Sequence, residues 1–162
     1  MNTVESVETK RCRKIRRILT ALFIICGYML STTFVGAVFN IDGKDQYVRI
    51  TALNLAFGAM GGKTPVYQNP VFGAIYIILP LIGFLFMFFD KRTNLKNFVG
   101  MGCGIIGCLM IAFPIAANSE LYLGIGALIS MIAYMIITTL SGISIFMKIE
   151  DRRQGNETPK LS

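Results

Sequence analysis

The sequence predicts an all-α membrane protein, a bundle of four transmembrane helices with both termini in the cytoplasm. The chain of 162 residues is 54% hydrophobic and only 15% charged, whereas about a quarter of the residues in a typical soluble domain are charged. Four long runs lack Asp, Glu, Lys, Arg and His. Each is close to or above the roughly 20 residues that a helix needs to cross about 30 Å of hydrocarbon. The predicted spans are residues 18–39, 71–89, 98–117 and 121–147.

The basic residues predict the orientation of these spans. Of the 16 Lys and Arg residues, 13 lie before the first run, between the second and third runs, or after the fourth. This asymmetry follows the positive-inside rule and places residues 1–17, the 90–97 loop and the 148–162 tail in the cytoplasm. Loop 40–70 and the turn at 118–120 then face outside. The net charge of +7 is therefore interpreted as an orientation signal that also attracts anionic lipid headgroups, and nucleic acid is not expected as a partner.

The first run is preceded by a basic cytoplasmic segment, residues 1–17, which is expected to gain order only at the lipid headgroups. A cleaved signal peptide is the alternative, because Val35-Gly36-Ala37 resembles a cleavage site. The apolar stretch up to Val35 spans 18 residues, however, and is longer than the 7–15 residues usual in signal peptides. A transmembrane helix is therefore favoured for residues 18–39.

The outer loop 40–70 carries a short amphipathic pattern. A turn at residues 40–43 precedes it, and glycines and prolines end it. Helical spacing of four apolar side chains predicts a short helix lying on the outer membrane interface. These side chains are Ile50, Leu53, Phe57 and Met60.

The last three spans carry prolines and rows of small residues. Pro80 and Pro114 predict kinks in the second and third helices. Small side chains at every fourth position let helix backbones approach closely, so both rows are expected to face protein, either each other or a second chain. Replacement of Gly104 by leucine is expected to weaken assembly. The rows are Gly100, Gly104, Cys108, Ala112 and Ala116 in the third helix, and Gly126, Ser130, Thr138 and Gly142 in the fourth.

Residues with catalytic or metal-binding potential are few. The chain has no histidine, and Cys103 and Cys108 are turned roughly 140° apart on a helix, so neither a metal nor a cofactor is predicted. The glycines of residues 102–107 match the dinucleotide-binding spacing, but that fingerprint works only at a strand-to-helix turn. The outer acids Asp42, Asp45 and Glu120 are expected to be solvated, and no catalytic residue is predicted.

The predicted layout has four helices, both chain termini in the cytoplasm and a larger first outer loop. It resembles the layout of tetraspan proteins such as claudins. The paired cysteines and the tryptophan motif of the claudin outer loop are absent here, so the resemblance extends to topology alone. The sequence predicts a multi-pass protein, in a bacterial plasma membrane, that acts without catalysis by association with a membrane partner or with itself. The alternatives are a homo-oligomeric channel or carrier for a small neutral or lipidic solute, and an enzyme that uses the outer acids.

Overall fold

The computed structural model describes residues 10–41, 44–57, 70–90, 94–117 and 121–157. These residues are mostly helical, as the predicted all-α class requires, and they also form a small three-stranded sheet. In chain order the elements are α1 (Lys10–Met29), β1 (Thr33–Ile41), β2 (Lys44–Thr51), α2 (Ala52–Phe57), α3 (Pro70–Phe89), α4 (Leu95–Ala117), β3 (Leu121–Leu123) and α5 (Ile125–Glu157).

Helix α1 begins inside the basic segment that was expected to be without order. Arginine and lysine are good helix formers, and neither glycine nor proline interrupts residues 10–26. The buried side chains of α1 are spaced three, four or seven residues apart, as an amphipathic stripe requires. This stripe comprises Cys12, Leu19, Phe23 and Cys26, and Leu30 continues it just beyond the helix.

The prediction of a continuous helix over residues 18–39 is wrong, because α1 ends at Met29. The hydroxyl groups of Ser31 and Thr32 donate to the carbonyl oxygens of Tyr28 and Met29, at 2.8 and 2.7 Å. Such local bonds compete with continuation of the helix. The residues of β1 that follow are rich in β-branched and aromatic side chains, which favour strands. Hydropathy alone does not separate an uncharged strand of this kind from a helix.

The sheet has the strand order β2-β1-β3 and is antiparallel throughout. Strands β1 and β2 form a hairpin whose last pair is Ile41 with Lys44, and a register shift lies between Thr33 and Val35. Strand β3 pairs with β1 through Val35 and Leu123. The start of the predicted fourth span, residues 121–123, is therefore a strand, and the helix proper begins at Ile125.

The amphipathic helix expected in the outer loop is present in part. Helix α2 covers Ala52–Phe57, and the hydroxyl of Thr51 accepts a hydrogen bond from the backbone N–H of Asn54 at 3.1 Å, as an N-cap residue does. Ile50 lies at the end of β2 and is buried, whereas Leu53 is exposed. Met60 lies outside the described residues.

Helices α1, α3, α4 and α5 form the bundle, and the α4–α5 contact is the most extensive between helices. In the described part of the chain, two helices are long and apolar enough to cross a membrane: Leu95–Phe113 in α4 and Ile125–Glu150 in α5. Helix α3 contributes the shorter apolar stretch Gly73–Phe89. Helix α5 continues to Glu157, so the expected tail is helical over its first ten residues, 148–157.

Candidate functional site

The small residues of α4 lie against α5 in the same chain. A Cβ placed on Gly104 would collide with the Thr138 hydroxyl and stand 2.9 Å from the Tyr134 carbonyl oxygen. A Cβ on Gly100 would collide with Met87 of α3 and stand 2.8 Å from the Ser141 hydroxyl. Only glycine allows backbones to approach this closely.

One turn further along, the α4–α5 contact continues with larger groups. The Cys108 thiol donates to the Met131 carbonyl oxygen at 3.7 Å. A Cβ on Gly107 would stand 2.6 Å from the ring of Tyr134, which is buried. The tyrosine that interrupts the small-residue row of α5 therefore fills the space that a glycine of α4 leaves open. We call this contact, formed by Gly100, Gly104, Gly107 and Cys108 with Tyr134, Thr138 and Ser141, the α4–α5 seam.

The remaining members of the two predicted rows differ in their exposure. Gly126 and Ser130 are buried, whereas Ala112 and Ala116 are exposed at the outer end of α4. A Cβ on Gly142 would meet no atom within 4 Å. The row of α4 thus packs against protein from Gly100 to Cys108 and is exposed at Ala112 and Ala116.

A few polar side chains lie in the otherwise apolar interior of the bundle. The Asn97 amide of α4 donates to the Ser144 hydroxyl of α5 at 3.0 Å, and both residues are buried. The hydroxyls of Ser130 and Ser141 are also buried, and neither has a hydrogen-bond partner among the described residues. Helix α3 joins this interior through Tyr76, whose hydroxyl donates to the Met110 carbonyl oxygen.

The charged residues at the inner end of the bundle are also partly enclosed. Lys96 is only 2% exposed, and its backbone N–H donates to the Asp90 carboxylate at 3.2 Å. This bond connects the end of α3 with the first turn of α4. The predicted loop included Lys96 and Asn97 because the apolar run begins at Phe98. The buried Asn97–Ser144 pair was therefore not predicted.

Every long helix of the bundle exposes large apolar side chains, and the first part of α1 also exposes basic ones. Ile125 and Phe89 are each 71% exposed, and only 39% of the apolar α4 window and 33% of the α5 window are buried. The core helix of a soluble protein would be mostly buried. Large apolar side chains that face outward include Ile24, Tyr28, Leu81, Phe88, Leu109, Phe113, Ile132 and Phe146.

The structure does not bring the other predicted residues into one site. Pro80 is buried within α3 and Pro114 lies within α4. Phe57 ends α2, and Asp45 lies on β2. Asp42 and Glu120 fall outside the described residues. Within the described ranges, no group of three His, Cys, Asp or Glu side chains could hold a metal ion.

The sequence matches no protein-family model and no curated protein. Three features of the molecule bear on its function: the α4–α5 seam, the few polar side chains of the interior and the apolar exterior.

Proposed function

We propose that the chain is a multi-pass membrane protein whose four long helices cross the bilayer, with both termini in the cytoplasm and the sheet outside. The supporting observation is the apolar exterior of the long helices, which carries isoleucine, leucine and phenylalanine side chains. The interior is also mostly apolar and encloses a few polar side chains, among them Asn97, Ser141 and Ser144. In water, such an apolar surface would promote aggregation. In the hydrocarbon of a bilayer the same surface is well solvated, and polar contacts between helices are stabilising.

Helix α1 has the shortest apolar part of the four proposed spans. Its apolar part, residues 18–29, is shorter than a bilayer requires. The Arg residues at its inner end have long side chains that can extend towards the headgroups, and the helix of 20 residues is about 30 Å long in all. We propose that α1 spans the membrane with its basic first turns at the cytoplasmic interface.

Cysteine labelling in intact cells tests this topology. Tyr122 on β3 and Glu150 near the end of α5 are both exposed. In a background with the four native cysteines replaced by alanine, Tyr122→Cys should react with a membrane-impermeant maleimide in intact cells. Glu150→Cys should react only after permeabilisation. Labelling of both positions in intact cells, or recovery of the protein without detergent, would contradict the proposal.

We further propose that the protein acts by association and not by catalysis. Because Gly100 and Gly104 of α4 pack against side chains and backbone of the same chain, these residues are not available to a partner. Strand β2 is at an edge of the sheet, and edge strands present unpaired backbone groups that can accept a further strand. Lys44 and Arg49 are exposed on β2 and would orient a partner with acidic residues.

Charge reversal on β2 tests this role. Lys44→Glu with Arg49→Glu should release a partner, or a second copy, that remains bound to the wild-type protein in mild detergent. Arg11→Glu with Arg13→Glu, which makes the same charge change at exposed positions of α1, should leave the complex intact. Equal complexes in all three proteins would contradict binding through β2.

A channel or carrier for a small neutral solute is the second candidate. The hydroxyls of Ser130 and Ser141, buried without a hydrogen-bond partner among the described residues, favour it because they could bind a polar solute. Solute flux into liposomes that contain only the purified protein would support a carrier, and a Ser130→Ala, Ser141→Ala variant should then lose the flux.

A further inference from the structure

A groove follows the contact between α1 and α3 and has two parts. The inner part has a volume of about 340 Å³ and is lined by Arg16, Arg17, Thr20, Met87 and Phe88. Among the described residues, this lining contains two guanidinium groups and no carboxylate. Arg16 is half-buried and Arg17 is exposed, so the positive charge faces a partly enclosed space.

The outer part of the groove is apolar. It has a volume of about 300 Å³, and no side chain in its lining is charged. A Cβ on Gly27 in this lining would meet no atom within 4 Å, so the groove is open at that point. The lining residues are Phe23, Ile24, Gly27, Leu30, Ile77, Pro80, Leu81 and Phe84.

The two parts share one wall. Phe84 lines the apolar part and Phe88 lines the basic part, and their rings stack with centroids 5.7 Å apart. Along the first helix the apolar part extends from Phe23 to Leu30, a distance of about 10 Å. This is about two thirds of one leaflet, since the hydrocarbon core of a bilayer is roughly 30 Å thick.

We infer that this groove, which we call the α1–α3 groove, binds one anionic phospholipid of the cytoplasmic leaflet. Arg16 and Arg17 bind its phosphate, and one acyl chain lies along the apolar part. Guanidinium groups bind phosphate oxygens with paired hydrogen bonds, and the uncharged apolar part beside them accommodates the first part of an acyl chain. The inference depends on the proposed membrane placement, which positions the arginines at headgroup depth.

Lipid binding by the purified full chain in a neutral detergent tests the site. Phosphatidylglycerol is titrated and bound lipid is counted by native mass spectrometry. Single lipid molecules in a neutral micelle are used so that the surface potential of an anionic bilayer does not contribute. The wild-type protein should bind one equivalent of phosphatidylglycerol in preference to phosphatidylcholine, and inorganic phosphate should not displace it.

Variants separate the two parts of the groove. Arg16→Gln with Arg17→Gln should weaken binding about tenfold or more, as expected for loss of charge-assisted hydrogen bonds. Gly27→Leu fills the apolar part without altering charge and should also weaken binding. Its helix should fold at least as well, because leucine is a better helix former than glycine.

A matched control is Arg11→Gln with Arg13→Gln, which removes the same charge from side chains that do not line the groove and should leave affinity within about twofold. Equal weakening in this control would overturn the inference, because the attraction would then be diffuse. Unchanged binding in the Gly27→Leu protein, or displacement of the lipid by inorganic phosphate, would likewise overturn it. If the wild-type protein shows no preference for phosphatidylglycerol while Tyr122→Cys and Glu150→Cys are labelled as expected, the lipid site alone is refuted. An altered labelling pattern would refute the membrane placement.

Discussion

The α4–α5 seam and the α1–α3 groove both contain glycines, but the two contacts use them differently. Gly104 lies so close to α5 that an added Cβ would touch backbone atoms of Tyr134 and Thr138. Gly27 lies in a groove where an added Cβ would touch nothing within 4 Å. The first contact is closed by protein. The second is left open, so a glycine in these helices marks either a close helix–helix contact or an open space.

The largest effect is expected from a leucine in the α4–α5 seam. Gly104→Leu must push α4 away from backbone atoms that cannot yield, and we expect a loss of about 3 kcal/mol or more, seen as a much lower midpoint of thermal denaturation in detergent. Gly102→Leu on the same helix is the control, because a Cβ there meets no atom within 4 Å. Equal stability of the two variants would contradict the closed seam. The sequence alone predicted weaker assembly for Gly104→Leu, whereas the geometry predicts a weaker protomer.

A smaller effect is expected where α1 and α3 do touch. A Cβ on Gly83 would overlap the ring of Phe23, which can move more easily than backbone. Gly83→Ala should therefore lower stability by about 1–2 kcal/mol, and adding Phe23→Leu should restore part of the loss. Gly27→Ala on the facing helix should cause no loss. Thermal denaturation of the four proteins checks the order, and an absence of rescue by Phe23→Leu would contradict the contact.

The Asn97–Ser144 hydrogen bond should contribute about 1 kcal/mol, which is typical for polar contacts between membrane helices. Asn97→Ala and Ser144→Ala should each destabilise the protein, and the double variant should lose less than the sum of the two. A double-mutant cycle of denaturation midpoints measures this coupling. Strict additivity would mean that the two side chains do not interact in the folded protein.

The smallest effect is expected at Ser141. Its hydroxyl is buried without a hydrogen-bond partner among the described residues, so Ser141→Ala removes no bond and should change stability by less than about 0.5 kcal/mol. Ser144→Ala serves as the comparison because its hydroxyl is bonded. A loss at Ser141 as large as that at Ser144 would show that the Ser141 hydroxyl does have a partner.

Sequence reasoning was most successful for α3 and α4. The predicted spans 71–89 and 98–117 differ from the helices by one residue and three residues at the start, because uninterrupted apolar residues bounded by charges leave few alternatives. The predicted row of small residues on α4 lies against α5 at Gly104 and Cys108, whereas Ala112 and Ala116 are exposed. The spacing did not predict which surface packs against this row, because the pattern on one helix does not identify the surface opposite it.

The first outer region was predicted less well. Residues 33–39 lack charge, and a hydropathy argument treats them as a continuation of the helix. Their β-branched and aromatic content, followed by Asp42-Gly43 and a second run rich in such residues, is a hairpin signal that the sequence does carry. Asn97 was missed for a different reason: its neighbour Lys96 is charged, and the loop was therefore extended across both residues.

The length of α5 has a mechanical consequence. Its 33 residues extend about 50 Å, some 20 Å more than the hydrocarbon core requires. In the proposed orientation the excess forms a stiff arm in the cytosol, continuous with the helix that contacts both α4 and α1. If binding at the outer sheet tilted α5, the tip of this arm would move. Binding on one face of the membrane would then change the position of a structure on the other face, without any loop changing shape.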